Sequence, residues 1–205
     1  FIELQSDDEG WLWIMIHSGS RNLGKQVCDY YSRVAMILNE RYFSSVKPEL
    51  NLPFLPLKTK EFNEYWSEMQ YCIDFGLCNR NLIMQRIEEV ISDAIPNVEF
   101  EPMINIAHNY AAWETHFDEA CIVHRKGATS AKMGEIGIIP GSQGTSSYIV
   151  EIQKLDEKGI VHAIRCQEDL EEASSAYKNI EKVIEQEADL VKIKTHLFPV
   201  AVIKG

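Results

Sequence analysis

The chain has 205 residues, 45% of them hydrophobic, so it can bury one sizeable core with an added helical lobe. Its formal net charge of -11 excludes a protein that holds nucleic acid through a broad basic face, because non-specific binding to phosphates needs clustered cations. Any nucleic-acid role must therefore depend on a local basic pocket.

Cysteine spacing and hydropathy indicate the cellular compartment in which the protein is expected. Cys28, Cys72, Cys78, Cys121 and Cys166 show no metal-box spacing, and such a scattered set predicts buried thiols in a reducing environment. The sequence contains no run of about 18 apolar residues and no signal-peptide pattern. These features predict a cytoplasmic protein.

A strand and two helical regions are predicted in the first half of the chain. Residues 11–17, WLWIMIH, predict a buried strand that ends at the loop SGSRNLG. Residues 25–42 have apolar side chains at helical spacing, and a segment with three prolines follows them. Residues 60–95 predict a second helical region that breaks near Gly76 or Asn79.

From residue 120 the pattern changes to short strands. The predicted strands are CIVHR, IGIIP, SSYIV, GIVHAI and VKIKTHLFPVAVIKG, with one helix over SSAYKNIEKVIEQEAD. The sequence therefore predicts an α+β fold, in which a strand-rich body carries a helical insertion over about residues 23–95.

Two histidines are candidate metal ligands. His17 ends the predicted strand, Gly19 leaves the backbone room for a ligand, and Arg21 supplies a guanidinium that suits phosphate. His108 lies beside Asn109, and the pair could serve one transition-metal site. The alternatives are a hydrogen-bonded loop histidine for His17 and a helix start around His108. A third histidine, His116, is expected on the solvent side.

Two segments indicate anion binding. In HRKGATSA, Arg125 and Lys126 precede a glycine and form a plausible phosphate-contacting turn, or else a solvated basic turn. In IIPGSQGTSSY, glycines and hydroxyl side chains form a loop suited to a phosphate or a ribose, or else a plain hairpin. This loop matches neither the P-loop nor the dinucleotide fingerprint.

Together, these residues resemble the RtcB-type RNA-splicing ligases. The resemblance covers nearly the whole chain in the family's order. It is carried by FIEL, MIHSGSRNLGKQV, AHNYAAWE, HRKGATSA, GIIPGSQGTSSYIV, AYKNIEKVI and VAVIKG.

The resemblance implies an RNA ligase that uses GTP and two Mn²⁺ ions. It would join an RNA 3′-phosphate or 2′,3′-cyclic phosphate to a 5′-hydroxyl, through a guanylylated histidine and an RNA-guanylate intermediate. His17 and His108 match metal ligands, and Arg21, Lys126 and, more loosely, Arg125 match cations that hold RNA or pyrophosphate oxygens. The positions that match guanosine nucleotide contacts are Glu3, Asn109, Pro140, Gly141, Ser142, Gln143, Ser147, Tyr177 and Lys204.

The chain also departs from the family pattern. The family's remaining metal ligands, an aspartate, a cysteine and a third histidine, belong to segments upstream of FIEL. The nucleophilic histidine belongs to an HGAGR motif after the SYIV strand, and no HGAG occurs in this sequence. His162 lies in a predicted strand and is not a substitute by motif. Gln143 replaces a usual methionine and Asn22 a usual glycine.

Two explanations of the missing motif remain open. Either the parent protein contains the missing segments and is an active ligase, or a deletion has left an inactive RNA- or nucleotide-binding module. A metal-dependent phosphoesterase acting on RNA ends is a third reading. The sequence does not identify the RNA substrate, the oligomeric state or any activating partner.

Overall fold

A computed structural model of the chain describes residues 1–141, 143–153 and 180–203. These residues belong to two compact units. The strand unit consists of Phe1–His17 with Ala94–Gly205, and the helical unit of Ser18–Asp93. Helices and antiparallel strands occur in separate parts of the chain, which confirms the α+β fold class. The division into a catalytic domain with an insertion over residues 23–95 stays a prediction.

An antiparallel five-stranded sheet dominates the strand unit, with the order β2-β1-β7-β6-β5. The predicted strands in WLWIMIH, IGIIP, SSYIV and VKIKTHLFPVAVIKG are confirmed, whereas GIVHAI lies outside the described residues. The burial predicted for WLWIMIH is wrong, since Leu12 is 51% exposed and the four residues after it are only partly buried. The five strands are β1 (Ile2–Ser6), β2 (Leu12–Ile16), β5 (Ile136–Ile139), β6 (Ser147–Ile152) and β7 (Val191–Ile203).

The core of this unit lies against β5 and β6, where apolar side chains form a continuous run. Val150 and Ile139 have no exposed surface, and helix α3 (Ile180–Glu187) contributes Ile180. This packing fixes the start of β6, and hence the end of the loop that precedes Ser147. The buried cluster consists of Ala131, Ile139, Tyr148, Val150, Ile152, Ile180 and Val191.

Strands β3 (Asn109–His116) and β4 (Glu119–Lys126) form a separate two-stranded hairpin. The alternative reading of a helix start around His108 is wrong, since cross-strand pairing overrides the helix propensity of the alanines here. Phe117 and Asp118 make the turn with φ angles of 55° and 62°. Two consecutive positive φ angles are typical of a tight hairpin turn, although that turn usually carries asparagine or glycine.

The helical unit contains α1 (Arg21–Arg41), a short 3-10 turn (Pro48–Leu50) and α2 (Lys60–Ala94). Two predictions are wrong. Helix α1 begins at Arg21, inside the predicted loop, and α2 runs for 35 residues without a break at Gly76 or Asn79.

Helix packing explains the unbroken helix. A side chain at Gly76 would lie 3.4 Å from the backbone of Gly19 and Ser20, and Asn79 donates a hydrogen bond of 2.9 Å to Ser18 Oγ. Both residues therefore pack the segment before α1 against α2.

No helix in the described part of the chain is long and apolar enough to cross a bilayer.

Candidate functional site

A buried polar network lies below the loop between β5 and β6. Gln5 Nε2 donates to Glu3 Oε1 at 3.4 Å and to Ser147 Oγ at 3.1 Å. The backbone N–H of Gly144 donates to Glu3 Oε2 at 3.4 Å, and that of Gly141 donates to Ser147 Oγ at 3.3 Å. Both glycines of the loop are therefore tied to side chains that project from β1 and β6.

The three side chains of this network have no exposed surface, which is unusual for a carboxylate and an amide. Burial raises the pKa of the Glu3 carboxyl above its ordinary value, against the hydrogen bonds from Gly144 and Gln5, which lower it. A further hydrogen-bond donor would stabilise the buried Glu3 carboxylate. The N–H groups of a nucleobase could supply that donor.

Gln5 is a candidate that the sequence reasoning missed. Its Oε1 atom is buried and has no hydrogen-bond partner among the described residues. The available sequence pattern was its spacing of two from Glu3 on a strand, which puts both side chains on one face. Gln5 therefore joins the buried residues that support the loop in this part of the strand unit.

Gly141 allows the loop to close on itself. A Cβ atom at this position would lie 2.2 Å from both Ser146 O and Thr145 Oγ1. No real Cβ atom approaches another heavy atom so closely, so any side chain here must displace the backbone. The glycine keeps the loop above Ser147 tight.

We expect Gly141→Ala to lower the free energy of unfolding by about 2 kcal/mol, because overpacking a close contact costs about 1–3 kcal/mol. Denaturant titration followed by circular dichroism measures the change. Gly144→Ala is the matched control in the same loop. It meets no atom within 4 Å and has only a positive φ of 75° to maintain, which costs about 1 kcal/mol. Equal losses in the two variants would contradict the close-packing argument.

The two candidate metal ligands lie side by side in the strand unit. The imidazole rings of His17 and His108 have their centroids 5.3 Å apart, and the ring of Phe1 lies 5.1 Å from His17. His17 is held by paired backbone hydrogen bonds with Phe1, and the carbonyl of His108 accepts from Ala128 N at 3.0 Å. Both histidines therefore stand on anchored backbone.

This separation suits one metal ion bound by a nitrogen from each ring, given metal–nitrogen distances of about 2 Å. Among the described residues no group of three or more His, Cys, Asp or Glu side chains is placed to hold a metal ion. The two histidines therefore fit part of a metal site. Further ligands would have to come from elsewhere, and carboxylate or thiolate ligands are the usual companions of imidazole.

Asn109 and Lys126 face each other at one end of the hairpin. Asn109 Oδ1 accepts a hydrogen bond of 2.8 Å from Gly127 N, which closes the turn after β4, and Lys126 is exposed. The lysine is thus available to an anion. Since His108 directly precedes Asn109, and Asn109 pairs with Lys126, this cation lies near one of the two candidate metal ligands.

Arg125 is placed differently from Lys126. Its side chain is only 4% exposed, and both terminal nitrogens donate to the Glu114 carboxylate. The guanidinium also lies 5.4 Å from the ring centre of Tyr110. The structure therefore gives Arg125 a position inside the hairpin network, where its hydrogen bonds are directed to protein groups.

The Glu114 carboxylate also accounts for the position of His116. The expectation that this histidine faces solvent is wrong, since its side chain is 18% exposed and its Nε2 lies 2.9 Å from Glu114 Oε2. The hydrogen bonds from Arg125, and then the one from His116, lower the pKa of Glu114 from 4.5 to about 2. Glu114 therefore remains ionised at all ordinary pH values.

The structure thus brings together two sets of predicted residues within the strand unit: Glu3 with Gly141 and Ser147, and His17 with His108. Arg21 belongs to the helical unit, where it is the exposed first residue of α1. Pro140 and Gln143 lie in the described part of the loop. Ser142, Tyr177, His162 and Lys204 lie outside the described residues.

Comparison with known proteins identifies the family. The sequence model of tRNA-splicing ligase RtcB matches residues 1–163. The RNA-splicing ligase RtcB of Escherichia coli strain K12 is 30% identical over 241 residues, covering 100% of this chain and 59% of the relative. The tRNA-splicing ligase RtcB of Nanoarchaeum equitans is 31% identical over 251 residues, with coverage of 94% and 52%.

This chain thus spans little more than half the length of these relatives. The match to the family model nevertheless extends over most of the chain and includes the histidines, the hairpin and the glycine-containing loop. The chain therefore belongs to the RtcB family of tRNA-splicing ligases.

Proposed function

We propose that the protein containing this chain is a GTP- and manganese-dependent RNA ligase. It joins an RNA 3′-phosphate or 2′,3′-cyclic phosphate end to a 5′-hydroxyl end through guanylylated histidine and RNA-guanylate intermediates. The observation that carries this proposal is the buried network of Glu3, Gln5 and Ser147 under the glycine-containing loop, in a chain that belongs to this family.

In this proposal the network binds the guanosine nucleotide. The Glu3 carboxylate accepts hydrogen bonds from N–H groups of the base, and Gln5 Oε1, which has no partner within the described part of the chain, offers a second acceptor. Because both groups are already desolvated in the folded protein, nucleotide binding does not have to repeat that cost. Pro140, Ser142, Gln143, Asn109, Tyr177 and Lys204 are proposed to complete the nucleotide site.

His17 and His108 are proposed to bind manganese, which neutralises phosphate charge and orients the in-line attack when it is bound. The histidines themselves contribute imidazole nitrogens on anchored backbone. Lys126, exposed next to His108 in the fold, is proposed to steady a phosphate oxygen, and Arg21 and Arg125 are the other cations considered for RNA or pyrophosphate.

A second candidate function is favoured by one observation about the sequence. No HGAG motif occurs in the 205 residues, and the alignment with the Escherichia coli protein is 241 residues long, a difference of 36. Positions of the relative therefore have no counterpart here. A chain that lacks the nucleophilic histidine could still bind RNA ends and guanine nucleotide without joining anything.

Incubation with α-labelled GTP and Mn²⁺ distinguishes the two functions. A ligase becomes labelled through an acid-labile phosphoramidate and joins a 3′-phosphate RNA to a 5′-hydroxyl RNA. A binding module retains GTP in equilibrium dialysis but gives neither a covalent label nor a joined product. A full-length protein that shows neither label nor joining would overturn the ligase proposal, and phosphate release without joining would indicate a phosphoesterase.

Glu3→Gln should separate stability from nucleotide binding. The buried carboxylate has a raised pKa, so its ionisation costs folding free energy that grows as the pH rises above the ordinary value. The neutral amide removes that cost, and we expect a thermal midpoint at pH 7 no lower than that of the wild type. GTP affinity should fall by about 10-fold or more, since hydrogen bonds to charged groups contribute about 1.5–3 kcal/mol.

Calorimetry measures the affinity and differential scanning fluorimetry the midpoint. Asp7→Asn is the control, because its carboxylate accepts hydrogen bonds from the N–H groups of Glu9 and Trp11 in the turn between β1 and β2 and from Trp13 Nε1 on β2, with no contact to the Glu3 network among the described residues. Its GTP affinity should equal that of the wild type. Unchanged affinity in Glu3→Gln would remove Glu3 from the nucleotide site.

A further inference from the structure

One face of the β3–β4 hairpin has an exposed tryptophan, a lysine and a histidine but no acidic side chain, and most of this face has no role in the proposed function. Directly paired residues of antiparallel strands project their side chains to the same side, and this side alternates along each strand. The register therefore assigns eight side chains to one face, named the Trp113 face: Asn109, Ala111, Trp113 and Thr115 with their partners Lys126, His124, Ile122 and Ala120.

The Trp113 face carries no acidic side chain, although 31 of the 205 residues are Asp or Glu. Lys126 and His124 are exposed, and Trp113 retains 50% of its surface. The opposite face of the hairpin contains the acidic Glu114 and Glu119. One side of this hairpin is therefore suited to an anion in a protein whose overall charge repels anions.

Trp113, Thr115 and Ala120 of this face also line a pocket of about 380 Å³, to which Lys132 and, from the opposite face of the hairpin, Glu114 and His116 contribute. This volume falls within the range of about 300–1,000 Å³ that small-molecule pockets have. An indole ring, a hydroxyl and an exposed lysine are groups that stack on a base and bind its sugar or phosphate. The pocket can therefore receive a nucleobase.

The Trp113 face begins beside the proposed site. Asn109 and Lys126 form its first pair, and the proposed function assigns them to nucleotide and phosphate. Trp113 is four residues further along β3, a distance of about 14 Å at about 3.4 Å per residue. A strand of RNA with its end at Lys126 would reach Trp113 within a few nucleotides.

We propose that the Trp113 face binds single-stranded RNA adjacent to the end that reacts. Lys126 and His124 contact the backbone phosphates, and Trp113 stacks on a base that enters the pocket. This inference rests on the proposed function, because the occupant is its substrate. Stacking and phosphate contacts tolerate any base, so the face binds RNA ends without sequence preference.

The test uses the full-length protein and a fluorescent single-stranded RNA of 12 nucleotides with a 3′-phosphate, without GTP. Trp113→Ala should weaken binding by roughly 5- to 100-fold, as alanine substitution of stacking aromatics does. Trp11→Ala is the matched control, since Trp11 is 62% exposed in the same unit, in the turn between β1 and β2. Fluorescence anisotropy gives both dissociation constants, and thermal melting verifies that both variants fold.

Equal affinities for the Trp113→Ala and Trp11→Ala variants would overturn the inference. A change in sedimentation of the Trp113→Ala protein alone, with RNA binding intact, would also overturn it and indicate a protein partner. A ligation assay on the same proteins distinguishes failure of the Trp113 face proposal from failure of the ligase proposal. If the wild type joins RNA while Trp113→Ala binds normally, only the Trp113 face is wrong. If Trp113→Ala binds weakly while no protein joins RNA, the face is supported and the ligase proposal fails.

Discussion

Replacing Glu114 with alanine should lower the free energy of unfolding by about 3 kcal/mol, because it leaves the buried Arg125 guanidinium without its main acceptor. Removing one partner of a buried ion pair typically costs about 3–5 kcal/mol. The side chains of Glu114 and Arg125 are 15% and 4% exposed, so water cannot replace the lost contact easily. Urea unfolding followed by tryptophan fluorescence measures the loss.

Two further variants and the pH dependence test the cause. Glu119→Ala, at the exposed end of the same hairpin, should change stability by less than about 0.5 kcal/mol. The double variant Glu114→Leu with Arg125→Met should recover much of the loss, since well-packed apolar pairs can replace buried ion pairs.

The depressed pKa sets the pH window. The stabilisation from Glu114 is complete above the ordinary value of 4.5 and disappears as the pH falls towards about 2. The wild type should therefore lose more stability over this window than the double variant. If the free energy of unfolding falls equally with pH in the wild type and in the double variant, the Glu114 carboxylate contributes no stability.

His108→Ala should weaken manganese binding by at least about 100-fold and abolish guanylylation of the full-length protein. Even groups that only support a metal ligand contribute about 10- to 100-fold to affinity. His108 lies 5.3 Å from His17 between ring centroids, and an alanine leaves a single imidazole at this position. Isothermal titration with Mn²⁺ alone measures the affinity.

His124→Ala is the matched control for metal binding. Its imidazole is exposed and, by the hairpin register, His124 pairs with Ala111. Manganese affinity should be unchanged in this variant. If His108→Ala binds manganese as the wild type does, the two histidines have only a packing role, and the metal site must be sought elsewhere in the protein.

Much of the fold could be predicted from local patterns. The strands of the large sheet follow from runs of β-branched and aromatic residues, and the proline-containing interruption before α2 follows from the chemistry of proline. The unbroken path of α2 could not, because Gly76 and Asn79 act through contacts with Gly19 and Ser18, about 60 positions earlier. Intrinsic propensity contains no information about such partners.

The candidate site shows the same limit. Glycine and hydroxyl content indicated the loop at 140–147, and the family resemblance indicated Glu3. The contact between Gln5 and Ser147 joins residues 142 positions apart and has no local sequence pattern. Arg125 was expected beside Lys126 as a second phosphate ligand. Neighbours on a strand point to opposite faces, and Glu114 on the partner strand accounts for the burial of Arg125.

The strand order of the large sheet also has a consequence for biosynthesis. Strand β7 (191–203) lies between β1 and β6, so the sheet that holds Glu3 and Ser147 is discontinuous until β7 has been made. On the ribosome, β1 can pair with β2 at once, but nearly two hundred residues must be made before its second neighbour, β7, exists. Such long-range pairing makes assembly slow. Nascent chains should therefore be unable to take up guanine nucleotide before β7 has been made.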